Sequence, residues 1–128
     1  MWIAVAVGGA LGALSRWLVA EVVLDAAPGE FPWGTLLVNV VGCALIGVLA
    51  PVLAARARWV VGLVITGFLG GFTTYSIFSE ETFAMADRGD SAGFVLAGTY
   101  VVVTIAATTA AVVLGSRLAG NLRGGAHL

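Results

Sequence analysis

The chain has 128 residues, 60% of them hydrophobic and 10% charged, with a mean hydropathy of +1.06 and a net charge of −1. A soluble domain is about 45–50% apolar and about 25% charged, and a chain this short cannot hide such an excess in one water-facing core. A lipid bilayer is the expected solvent, and the charge balance, with six arginines and no lysine, leaves no basic footprint for nucleic acid.

A bilayer span needs about 20 mainly apolar residues, and the sequence supplies four such stretches. The first covers residues 2–24. No basic residue precedes its apolar run, which argues for a retained helix rather than a cleavable signal peptide. Gly8 and Gly12 have the spacing that lets two helix backbones approach closely. Arg16 lies past the middle of this span, where an arginine costs about 2.5–3.5 kcal/mol on insertion scales. It reads either as an anchor reaching for the interface or as a charge facing a watery vestibule. A polar loop follows at 25–32, with Pro28, Gly29 and Pro32 as breakers.

The second span covers 33–55. Thr35, Asn39 and Cys43 recur at i, i+4 and i+8 and share one helix face. The Asn39 amide reads either as a hydrogen bond to a neighbouring helix or as a pair of donors for a passing anion. Arg56 and Arg58 form a short basic loop. Trp33 and Trp59 stand at span ends, where amphipathic rings favour the headgroup zone.

The third span, 59–85, is the least regular. Gly67, Gly70 and Gly71 with Thr73 and Thr74 weaken a helix in mid-membrane. Such a segment is either a close glycine-rich crossing or a helix whose freed carbonyls bind a cation such as sodium. Tyr75 and Phe78 follow on one face, as ordinary packing or as ring edges, which are electropositive, beside an anion path. Glu80 and Glu81 close the span with no assigned role. A tight polar turn at 87–91 leads to the fourth span, 92–119. There Tyr100, Thr104 and Thr108 form a hydroxyl stripe, either bonded to their own helix or laid out as donors along a pore. The tail from 120 to 128 is expected to be frayed.

Four spans put the N-terminus, the second loop and the C-terminus on one side. That side carries Arg56, Arg58, Arg117 and Arg123; the other carries Arg88, plus Arg16 if it is counted outward. The positive-inside rule places the termini in the cytoplasm. Cys43 has no disulfide partner within the chain, and one cysteine with His127 cannot build a structural zinc site. No nucleophile–base pair and no phosphate loop is visible, so catalysis has little support. The one charge deep in a span, Arg16, favours an anion over a cation.

These residues resemble the Fluc family of small bacterial fluoride channels, also called CrcB. The resemblance covers nearly the whole chain. It rests on Gly8, Gly9, Gly12, Ala13 and Arg16; on Gly34, Thr35, Leu36, Asn39 and Gly42; and on the long run Gly67, Phe68, Gly70, Gly71, Phe72, Thr73, Thr74, Tyr75, Ser76, Ile77, Phe78 and Ser79. It implies an all-α membrane protein of four transmembrane helices with a break in the third, assembling as an antiparallel dimer. It further implies two fluoride pathways at the subunit interface and a structural sodium ion at the dimer centre, held by backbone carbonyls at Gly70 and Thr73. Asn39 then matches the pore-lining asparagine, and Tyr75 and Phe78 the paired phenylalanines. Tyr100, Thr104 and Thr108 match a hydroxyl track, Glu81 a glutamate beside it, and Arg16 the first-helix arginine.

The implied activity is passive, fluoride-selective export across the bacterial inner membrane. Two positions depart from the family pattern: Tyr75 replaces the usual phenylalanine and Ile77 a common threonine, which bears on whether both pathways conduct. The arginine bias suggests a fixed orientation, and hence a heterodimer with an oppositely oriented homologue as an alternative to a homodimer. A small multidrug-resistance-type cation exporter would need a buried carboxylate in the first helix, for which Glu21 is the candidate. A non-transporting assembly subunit would need no polar track.

Overall fold

The computed structural model describes residues 1–23 and 30–124, with the side chains of 21–23 and 122–124 outside that description. Leu24, Asp25, Pro28, Gly29 and His127, and the side chains of Glu21 and Arg123, therefore lie outside the described residues. Among the described residues every regular element is helical. Helix α1 (Trp2–Trp17) runs into a π-helical turn, Leu18–Val23. Helix α2 is Trp33–Leu53. A composite third segment contains α3 (Arg58–Val61), a π-helical stretch (Gly62–Leu69), α4 (Gly70–Phe72) and α5 (Ser76–Ala86). Helix α6 is Ser91–Gly124 and continues past the expected end at Ala119, because Gly120 alone does not stop a long helix.

Among the described residues, four helical segments are long and apolar enough to cross a bilayer: Trp2–Ala20, Trp33–Leu53, Arg58–Ala86 and Ser91–Asn121. They pair first with third and second with fourth. Lipid is as apolar as leucine, so helix association rests on close packing and interhelical hydrogen bonds. Glycine supplies the first of these. Gly8 and Gly12 are buried, and a Cβ at either would land on the carbonyl oxygens of Leu63 and Phe68. Gly71 lies as closely on the backbone of Gly9. The α2–α6 pair crosses at Gly47 and Gly115, each facing the other helix's backbone. Beside that pair, Leu36, Met85, Ala97 and Tyr100 form a small apolar core.

Between α5 and α6 the chain reverses at Gly89, whose φ of 72° needs a residue without a Cβ. Asp90 Oδ1 then accepts the Gly93 N–H at 2.7 Å and caps the start of α6.

Helical geometry in the third segment ends at Phe72 and resumes at Ser76. Thr73 is extended, with φ −74° and ψ 156°. Three residues of irregular backbone thus lie within the apolar stretch Arg58–Ala86, and their polar groups need partners that a lipid tail cannot supply.

Candidate functional site

The partners can be counted one by one. In a continuous helix the N–H groups of Thr74, Tyr75 and Ile77 would bond to the carbonyls of Gly70, Gly71 and Thr73. Here Thr74 N–H donates instead to Asn39 Oδ1 at 2.8 Å, and Asn39 Nδ2 donates back to the Thr74 carbonyl at 3.0 Å. One side-chain amide thereby pairs with both faces of one peptide residue. Asn39 is buried, so this answers a real need: an orphaned buried backbone group costs about 1–3 kcal/mol. The Gly71 carbonyl accepts Arg16 Nε at 3.3 Å. Ile77 N–H donates to Thr74 Oγ1 at 3.3 Å, which gives one N–H in the first turn of the resumed helix a partner. Thr73 turns both its hydroxyl and its amide onto the Leu69 carbonyl, each at 3.0 Å.

Arg16 is therefore half-buried against the last helical turn before the irregular backbone of the third span. The Thr74 and Ile77 donors that would reach Gly70 O and Thr73 O are committed elsewhere. Gly70 is exposed and Thr73 half-buried on this face. Two carbonyl oxygens without their regular helical donors fit the donor type a hard cation takes. Among the described residues no group of three His, Cys, Asp or Glu converges, so side chains offer no rival set.

On the other side of the irregular backbone lies a groove of about 740 Å³ between α2, α5 and α6. Asn39, Tyr75, Phe78, Thr104 and Thr108 all line it, so five of the expected pathway residues, drawn from three spans, meet on one wall system. Tyr75 and Phe78 stand with ring centroids 6.0 Å apart and planes tilted by 42°. Phe78 leans in turn on Tyr100 at 5.1 Å. Tyr75 is 79% exposed at the rim, while Asn39 is 6% exposed at the base.

Tyr100 and Glu81 sit behind that wall. The Tyr100 hydroxyl donates to Glu81 Oε2 at 2.7 Å, and Thr35 Oγ1 donates to Glu81 Oε1 at 2.7 Å. Each carboxylate oxygen thus has a hydroxyl from a different helix, in the short range of charge-assisted bonds. Tyr100 is fully buried and also meets Phe31 edge-on at 5.4 Å.

The hydroxyl stripe of α6 divides into three fates. Tyr100 serves Glu81. Thr108 donates to the Thr104 carbonyl one turn back, at 2.7 Å, and so satisfies its own helix. Thr104 Oγ1 is buried with no hydrogen-bond partner, on a residue that lines the groove. Of the three, Thr104 is the hydroxyl without a partner among the described residues, and its oxygen lies buried just behind the groove surface. Asn39, which lines the groove, spends one of its two amide N–H donors on Thr74.

Several participants lay outside the expected site. Thr35, Thr74, Cys43, Ser79, Thr82 and Phe83 either hold or line these clusters. Thr35 and Cys43 carried a signal, one turn either side of Asn39. Thr82 and Phe83, one turn beyond Phe78 and Ser79, continue the same face of α5.

The family model described as CrcB-like protein, Camphor Resistance (CrcB), matches residues 3–116. The chain belongs to the CrcB family. A CrcB relative from Rhizobium leguminosarum bv. trifolii, named fluoride-specific ion channel FluC, is 47% identical over 114 residues, covering 87% of this chain and 89% of the relative. The FluC of Agrobacterium fabrum is 43% identical over 120 residues, covering 89% and 94%. That of Bordetella petrii is 42% identical over 125 residues, covering 95% and 93%. With four helices able to cross a bilayer, this CrcB-family chain is a multi-pass membrane protein.

Proposed function

We infer that the protein is a passive, fluoride-selective ion channel, and not an enzyme, that lets fluoride leave the cytoplasm through a bacterial inner membrane. The observation that carries this is the groove: it gathers an amide, an unspent threonine hydroxyl and two aromatic rings from three spans. The full-length relatives named as fluoride-specific channels support the same reading. Fluoride is small and strongly hydrated, so a path must replace its water shell yet release the ion. Asn39 N–H, Thr104 O–H and the ring edges of Tyr75 and Phe78 are donors of that graded kind. Hydrogen fluoride enters from an acidic exterior, ionises in the neutral cytoplasm and is trapped; a leak driven by membrane potential removes the anion without nucleotide or proton coupling.

The groove is open along one flank, with Tyr75 exposed at its rim, and an oppositely oriented second subunit would close it. In that assembly the interruption at Thr73 is the break of the third helix, and Gly70 O and Thr73 O of each subunit would hold a structural sodium ion. The cation would supply positive charge at the centre and tie the two backbones together. The arginine bias favours a second version, in which the partner is a homologue of opposite orientation rather than a second copy.

The deciding experiment is fluoride efflux from liposomes holding the purified protein alone, read with a fluoride electrode against a chloride control. Rapid fluoride-only efflux is expected. Silence from folded protein, cured by an oppositely oriented homologue, would establish the heterodimer. Proton-coupled movement of a quaternary ammonium would instead overturn the channel reading in favour of a cation exporter.

A further inference from the structure

A second cleft lies at the opposite end of the first and third spans from the α5–α6 turn. It measures about 440 Å³ and is walled by the start of α1, the end of the second span and the start of the third. Arg56 and Arg58 stand on its wall, and Val5 and Thr66 line it further in, with no acidic side chain in the lining. Both guanidiniums are exposed, and among the described residues neither has a hydrogen bond or ion pair. Trp2, also on the wall, is 78% exposed, and Trp59 beside Arg58 is 57% exposed. Trp2 starts the first span and Trp59 lies in the first turn of the third, and tryptophans at span ends favour the headgroup zone, where lipid phosphates lie beside the arginines. Thr66 lies about two helical turns below Arg58, which carries the cleft from that depth into the hydrocarbon region.

We propose that this cleft is a binding site for one anionic phospholipid. Its phosphate is held between Arg56 and Arg58, and the first part of an acyl chain lies along Val5 towards Thr66. Three observations select a lipid over other occupants. Two uncompensated guanidiniums ask for a phosphate, which they grip better than an ammonium would. The wall beneath them is apolar and leads into the membrane, where a free anion would have no solvent. A basic pocket between helices on the arginine-rich side is the geometry that takes anionic headgroups. The site is remote from the groove and does not depend on what the protein transports.

The test is native mass spectrometry of the purified full chain titrated with phosphatidylglycerol, with phosphatidylcholine of identical chains, and with inorganic phosphate. Phosphatidylglycerol should remain bound at least fivefold more than phosphatidylcholine. The double variant Arg56→Gln/Arg58→Gln should bring the two lipids level, and Arg56→Lys/Arg58→Lys should recover part of the difference, which separates lost charge from lost fold. Thr66→Trp should lower lipid retention while leaving inorganic phosphate binding unchanged. Equal retention of both lipids by the native protein would overturn the proposal. So would full displacement of phosphatidylglycerol by inorganic phosphate with no effect of Thr66→Trp, since the site would then take a free anion.

Discussion

The third and fourth spans solve one problem in opposite ways. Both carry polar groups in mid-membrane. The fourth is an unbroken helix, and two of its four threonines bond to their own backbone: Thr99 to the Val95 carbonyl and Thr108 to that of Thr104. The third gives up helical geometry at Thr73 and needs outside help, which comes from Asn39 in the second span and Arg16 in the first. A self-satisfied helix is tolerant of change, whereas an interrupted one makes its neighbours essential. The difference teaches where polarity in the chain is structural and where it is left over for an ion.

That contrast can be broken at several points. Asn39→Leu should have the largest effect, because it orphans an N–H and a carbonyl of Thr74 together at roughly 1–3 kcal/mol each. A loss of about 2–4 kcal/mol and of all fluoride flux is expected, read by unfolding in detergent and by efflux. Unchanged stability would mean that the third span does not depend on the second. Gly12→Val drives a side chain into the Phe68 carbonyl and should cost about 1–3 kcal/mol, seen as a lower melting temperature.

Tyr100→Phe deletes one of the two hydroxyls on Glu81 and should cost about 1–2 kcal/mol by the same measurement. Thr104→Val should leave stability within about 0.5 kcal/mol, since its hydroxyl bonds nothing in the protein, yet slow flux about tenfold, equivalent to about 1.4 kcal/mol. Thr108→Val should alter flux by less than about twofold, or about 0.4 kcal/mol, because its hydroxyl is spent on its own helix. Equal effects of the two threonine changes would erase the distinction drawn along α6.

How much of this the residues disclose in advance differs by level. Hydropathy alone outlines four apolar stretches, since bilayer thickness dictates length. Glycines and paired threonines mark the third span as irregular through helix propensity, a local property. The identity of Asn39's partner is a different matter. Thr74 is 35 positions away, and only the packing of α2 on the third span brings them together. Arg16 has two readings from its depth, and neither names its partner: the Gly71 carbonyl it reaches lies 55 positions on in sequence. The hydroxyl stripe was legible as a stripe. Its division into a serving tyrosine, an idle threonine and a self-bonded threonine turns on side-chain rotamers that spacing does not encode. For Glu81 the resemblance implies a place beside the hydroxyl track, but its spacing alone assigns none, because its two hydroxyl donors come from the second and fourth spans.

The pairing of Asn39 with Thr74 has a mechanical consequence. A carboxamide has its donor and acceptor a fixed distance apart, and here it bridges the two peptide groups that flank one residue, Thr74. Sliding the second span along the third by a single residue would break both bonds at once and offer no equivalent seat until a whole turn had passed. The pair works like a pin through two rods, letting side chains around it fluctuate while denying the rods a gradual shear. Such a pin ties the second span to the interrupted third at one residue, which sets the spacing of the two walls that Asn39 and Thr74 give the groove.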